Sequence, residues 1–187
     1  EHIENTASEY INTDYVPTGT DISIEGKIYP TSYSGSWASW IGATVNDSTE
    51  GFNIRRNNNS NTEFRYSNSA TNASYGTVTD VALNTVHEFN LSYGQLVLDG
   101  TTYTYTPETT TTVNTAKLYL FRTPQNTSYT RGRFYYLKVY KSDTLVLDLT
   151  PVRRAGQGAM YDKVSGKVFT NAGTGTMGYG ADVTSGE

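Results

Sequence analysis

Apolar residues recur along this chain in short runs that alternate with polar ones, and no stretch of helical length repeats every 3.6 residues. Residues 21–29 show the pattern most clearly: Ile22, Ile24 and Ile28 fall on one face and Ser23, Glu25 and Lys27 on the other, the period of a half-buried strand. Further strands are predicted over 40–45, 51–56, 62–67, 86–93, 96–98, 101–106, 116–121, 133–140 and 144–149, and a last strand-like run begins at Gly158. Polar turns separate them. Asn46-Asp47-Ser48 closes one strand, residues 57–61 are rich in Asn, and Lys141-Ser142-Asp143-Thr144 joins two of the longest runs. Asp99-Gly100 between apolar runs is a strong hairpin signal, because Gly accepts the positive φ such a turn needs. Many short strands with turns at this spacing predict a single all-β, antiparallel, two-sheet sandwich over 1–187, with its core in 9–176 and a C-terminal tail over 177–187.

Composition agrees with strands. Of 187 residues 36% are hydrophobic and only 17% charged, and there are 16 Tyr against 6 Phe and 2 Trp. Aromatic and β-branched side chains suit a pleated, half-buried surface and argue against disorder. The net charge of −4 and the lack of a basic tract disfavour binding to nucleic acid or to anionic membrane. No apolar run reaches the length of a membrane span. Without cysteine there is no disulfide, no thiolate metal site and no Cys nucleophile. The start at Glu1 without Met is expected of a fragment or a mature product.

Three motifs carry a resemblance. The first is Tyr161-Asp162-Lys163-Val164-Ser165-Gly166-Lys167-Val168-Phe169-Thr170-Asn171-Ala172-Gly173-Thr174-Gly175. The second is Tyr10-Ile11-Asn12-Thr13-Asp14-Tyr15-Val16-Pro17-Thr18, and the third is Leu98-Asp99-Gly100. Over residues 9–176 the chain resembles the concanavalin A-like jelly rolls of the laminin-G type, in the branch found in phage tail proteins and surface proteins of gut bacteria. The resemblance implies a jelly roll at the cell surface, outside the cell or in a virion, attached to other domains. Because one fold hosts many functions, it says little about the ligand.

The candidate chemistry is mostly that of a passive surface. Some concanavalin A-like jelly rolls are endoglucanases with carboxylates at alternate strand positions, and a retaining pair needs about 5–5.5 Å between carboxyl groups. Asp21 and Glu25 share a face, but lie about 13 Å apart along a strand, with Ser23 between them. Only His2 and His87 exist; His87 is expected to face solvent or a sheet partner, and the pair supports neither a catalytic triad nor a zinc site. Relatives often hold one calcium at the sandwich rim, so the turn residues Asp47 and Asp99 are candidate ligands for Ca²⁺, with Asp80 and Asp143 also at turns; turn capping is the plainer role for all four.

A sugar site needs flat aromatic rings beside side chains that make several hydrogen bonds. Tyr33, Trp37 and Trp40 surround one loop, Trp40 being equally suited to the core. Arg55, Arg65 and Tyr66 lie on adjacent strands, with Arg56 facing away from Arg55. Arg122, Gln125, Asn126, Tyr129 and Arg131 form another loop set. The reading is a non-catalytic glycan-binding module that requires no cofactor. Alternatives are a structural or adhesion module that spaces, trimerises or binds protein, and, more remotely, a glycoside hydrolase.

Overall fold

The computed structural model describes residues 1–44, 51–57, 61–67, 75–79, 81–107, 114–125 and 127–181. The turn at 46–48, most of the polar stretches 57–61 and 68–76, the threonine loop 109–112, and Asp47, Asp80 and Asn126 lie outside them. Sixteen strands and no helix occur among the described residues. In chain order they are β1 (Ile3–Asn5), β2 (Ile11–Asn12), β3 (Ile22–Tyr33), β4 (Ser39–Ala43), β5 (Gly51–Arg56), β6 (Thr62–Ser67), β7 (Gly76–Val78) and β8 (His87–Ser92). The second half supplies β9 (Gln95–Leu98), β10 (Thr101–Thr104), β11 (Tyr119–Leu120), β12 (Thr130–Lys141), β13 (Thr144–Arg154), β14 (Gln157–Asp162), β15 (Val168–Phe169) and β16 (Gly178–Tyr179).

These form two antiparallel sheets packed as a sandwich, consistent with a jelly roll. The larger runs β10-β9-β8-β3-β12-β13-β14-β15, with β1 bonded to both β12 and β16; the smaller runs β2-β11-β4-β5-β6-β7. The alternation in 21–29 becomes the inward face of β3, where Ile22, Ile24 and Ile28 meet Phe89 and Leu91 of β8 and Phe134, Leu137 and Val139 of β12. Ile41, Phe52, Ile54, Phe64 and Tyr66 answer from the smaller sheet. Burying each such side chain contributes about 1.5–3 kcal/mol.

Three two-residue turns place both central residues at positive φ, the geometry whose twist matches the strands it joins. Asp99 and Gly100 have φ of 50° and 80°, Ser142 and Asp143 46° and 63°, and Ala155 and Gly156 49° and 79°. The predicted strands are longer in the structure: β3 continues to Tyr33, β12 begins at Thr130 and β13 runs to Arg154, while the predicted strand 116–121 shrinks to Tyr119–Leu120. The sheet also continues beyond residue 176. Met177 is fully buried and β16 pairs with β1, in the register Ile3 to Tyr179.

The two long motifs fit each other. Tyr10 N–H donates to Asn171 Oδ1, Ala172 N–H donates to the Tyr10 carbonyl, and isolated bridges join Ser8 to Thr174 and Ile11 to Asn171. A side chain at Gly173 would strike the Ser8 carbonyl, and one at Gly175 the Glu9 carboxylate. Asp162 explains its own motif: its buried carboxylate accepts from the N–H groups of Asp148, Val164 and Ser165 and from the Ser165 hydroxyl.

Candidate functional site

Register fixes what the smaller sheet presents on each side. Phe52 lies opposite Tyr66 and Ile54 opposite Phe64, all facing the core. The alternate positions therefore face outward: Asn53 opposite Arg65 and Arg55 opposite Glu63, with Gly42 and then Tyr119 continuing the Asn53 row. This outer face is not solvated. Asn53, Arg55, Glu63 and Arg65 are all buried. Arg55 Nε donates to Glu63 Oε2 at 3.2 Å, and Asn57 Nδ2 donates to Glu63 Oε1 at 3.1 Å. The Trp37 ring lies 4.2 Å from the Arg55 guanidinium, the Tyr75 ring 5.3 Å from that of Arg65, and Thr123 sits over Gly42.

Two loops make the rim of this face. Ser34 N–H donates to the Tyr129 carbonyl, Tyr129 N–H donates to Ser34 Oγ, and Ser39 bridges to Tyr129. Two bulky residues in these loops hold left-handed backbone, Trp37 at φ 68° and Phe121 at φ 72°, a conformation that tends to be kept where it aims a side chain. At Trp37 it sets the indole over Arg55. After Phe121 it sends Arg122 outward, where its guanidinium lies between the rings of Tyr10 at 4.6 Å and Tyr129 at 5.2 Å. Arg122 also donates to the Thr123 and Pro124 carbonyls and the Tyr129 hydroxyl, so it organises its loop. Tyr119 stacks on Tyr10 at 5.1 Å and extends the row of rings.

The predicted aromatic and arginine sets thus meet at one rim, but not all their members are accessible. Trp40 and Tyr66 are fully buried and belong to the core. Trp40 stacks on His87 and donates from Nε1 to the Tyr33 hydroxyl at 3.2 Å. The Tyr66 hydroxyl accepts from Ile22 N–H and donates to the Gly19 carbonyl. Arg55 and Arg65 lie beneath rings rather than facing solvent. Arg131 sits on β12 opposite Ser32, and no described contact joins it to the rim.

What remains open is a cleft of about 420 Å³ beside the rim, lined by Ser32, Tyr33, Gly35, Ser36, Arg56, Asn57 and Leu83. Its walls are braced from behind. Tyr33 is held by the Trp40 indole and covered by the Arg56 guanidinium at 5.0 Å; Asn57 is anchored on Glu63. Burial raises the Tyr33 phenol above its ordinary value, against the smaller effects of the Trp40 hydrogen bond and the Arg56 charge, so it stays neutral at physiological pH. Sequence alone did not single out Asn57, Glu63 or Leu83. Glu63 carried a usable signal, since a hairpin over the Asn-rich turn sets it opposite Arg55.

His87 does not face solvent: it is 4% exposed and points into the core. Its Nδ1 lies 2.6 Å from Asp99 Oδ2 and its Nε2 2.7 Å from the Ala82 carbonyl. Asp99 therefore serves as a turn residue and a histidine partner, its other oxygen accepting from Glu88 N–H. Among the described residues no group of three or more His, Asp or Glu side chains could hold a metal ion. Asp21 accepts a hydrogen bond from the Ser142 hydroxyl, while Glu25 pairs with Lys138 and accepts from Tyr140 on the outer face of the larger sheet. Neither protein-family models nor curated proteins match the chain. No helix among the described residues is long and apolar enough to cross a membrane.

Proposed function

We propose that this domain is a non-catalytic glycan-binding module of the concanavalin A-like, laminin-G type, acting at a cell surface, outside the cell or in a virion. The observation that carries the reading is the braced cleft. An aromatic ring, a guanidinium, a carboxamide and two serine residues line one shallow opening of about 420 Å³, the mix of apolar face and multiple hydrogen-bonding groups that sugar rings require. Its key walls are held by buried partners, Trp40 behind Tyr33 and Glu63 behind Asn57, so little ordering is needed when a ligand arrives. Trp37 and the Arg122–Tyr129 loop extend this surface along the rim.

Binding of this kind needs no proton transfer. Glu63, which anchors Asn57 of the cleft wall, is committed to Arg55 and Asn57. The test is affinity electrophoresis against plant, host and bacterial polysaccharides with the wild type, Arg56→Ala and Trp37→Ala. Retardation by at least one polysaccharide, weakened by Arg56→Ala at unchanged thermal stability, is expected. Trp37→Ala should also weaken binding without unfolding the domain; unchanged affinity would remove Trp37 from the surface. Silence across the panel would favour a structural or adhesion module.

A further inference from the structure

His87 is hydrogen-bonded at both ring nitrogens, and both partners are acceptors: a carboxylate at 2.6 Å and a backbone carbonyl at 2.7 Å. A neutral imidazole has one N–H and can satisfy only one of them. The bare nitrogen of this buried ring, 4% exposed, would then set a lone pair against a second lone pair at hydrogen-bond distance. With the Asp99 carboxylate ionised, only the imidazolium makes both bonds. The titratable groups around the ring are Asp99 on the β9–β10 turn and the Tyr103 phenol on β10, which lines the same small cleft as His87. Trp40 faces it from β4, Ala82 from the 81–86 segment, and its β3 partner is Ile28. Lys27 and Glu88, adjacent in register, pair with each other and point the opposite way. Asp80 lies outside the described residues.

The Ala82 bond reaches the candidate cleft through the next two residues of the chain. Leu83 lines that cleft, and Asn84 N–H donates to the Pro30 carbonyl at 2.8 Å. On its other side His87 stacks on Trp40, whose indole holds Tyr33 of the same cleft. We propose that His87 is a proton-operated clamp: its imidazolium fastens the 81–86 segment at Ala82 and so sets the Leu83 wall of the cleft. Losing the proton leaves the Asp99 bond and releases Ala82. The Leu83 wall of the cleft is then fixed at acidic pH and released at alkaline pH. Its consequence for ligand affinity rests on the glycan reading; the clamp itself does not.

The test is an ¹⁵N NMR titration of the whole domain from pH 5 to pH 9, with amide exchange of Asn84 corrected for intrinsic rates. Expected are imidazolium signals at both His87 nitrogens while Asn84 is protected, and a loss of protection of about tenfold or more as the ring deprotonates, the range of one lost charged hydrogen bond. Asp99→Asn gives the sharper outcome. An Asn amide can donate to a neutral Nδ1 while Nε2–H serves Ala82, so the variant should keep Asn84 protected across the whole range. Asn also tolerates the positive φ of this turn. A singly protonated ring in the protected state would overturn the clamp, as would an Asp99→Asn profile that tracks the wild type. Neither readout involves a glycan, so such a failure counts against the clamp alone.

Discussion

At the scale of single residues, the polar side chains inside this sandwich are the ones that set its pH limits. Burial pushes the Asp162 carboxyl up, but the Ser165 hydroxyl and the backbone N–H groups of Asp148, Val164 and Ser165 outweigh it and hold it below its ordinary value. A carboxylate whose folded value is depressed stabilises fully above its unfolded value of about 3.9, and the contribution is lost as pH falls through the folded value. Asp162→Ala should therefore cost about 3 kcal/mol at neutral pH, and in urea denaturation the gap to wild type should narrow below pH 4. An equal gap at pH 3 and pH 7 would contradict this. Tyrosines act at the other end. Burial, with neighbouring Tyr93, pushes the Tyr105 phenol up to about 12, and burial also raises Tyr66 well above its ordinary value. Their stabilisation is complete below the unfolded value of about 10 and is lost as pH rises through the folded values. In a spectrophotometric titration these two phenols should ionise only as the domain unfolds.

At the scale of elements, the buried Arg55–Glu63 pair ties β5 to β6 on the outer face of the smaller sheet. Removing one partner of a buried pair strands a charge, so Glu63→Ala should destabilise by about 3–5 kcal/mol, whereas replacing both residues with Met should cost much less. A double-mutant cycle by thermal denaturation checks this, and additive losses would contradict it. Strands themselves were legible from the sequence wherever one face is wet: Ile22, Ile24 and Ile28 alternate with polar residues and define β3. Legibility failed where both faces are covered. All of β4, and β5 up to Arg55, is buried, so Trp40 and Arg55 could not be assigned a side from alternation alone. Arg65 and Tyr66 looked like ligand contacts for the same reason. For His87 alternation left solvent and a sheet partner equally open, and the Asp99 turn, eleven residues beyond Glu88, supplies the partner. The short strands β1, β2 and β16 carry no periodic signal, being too short to show one; their place depends on partners more than a hundred residues away, such as Phe134 for Ile3.

At the scale of the whole molecule, both ends of the described chain converge on one sheet. β1 pairs with β12 and β16, and the β3–β12 ladder at the sheet's centre joins residues about a hundred positions apart. Such pairings must close long loops before any contact rewards them, so refolding from urea should take milliseconds to seconds. Microsecond refolding would contradict that topology. The smaller sheet is covered on both faces, and beside its rim lies the braced cleft lined by Tyr33, Arg56 and Asn57. The most direct measurement is calorimetric titration of a polysaccharide that retards the domain in affinity electrophoresis, into wild type and Arg56→Ala. Saturable binding to the wild type, weakened about tenfold or more in a variant of equal melting temperature, is the expected result. No saturable binding to any polysaccharide, or equal affinity in the two proteins, would contradict the account.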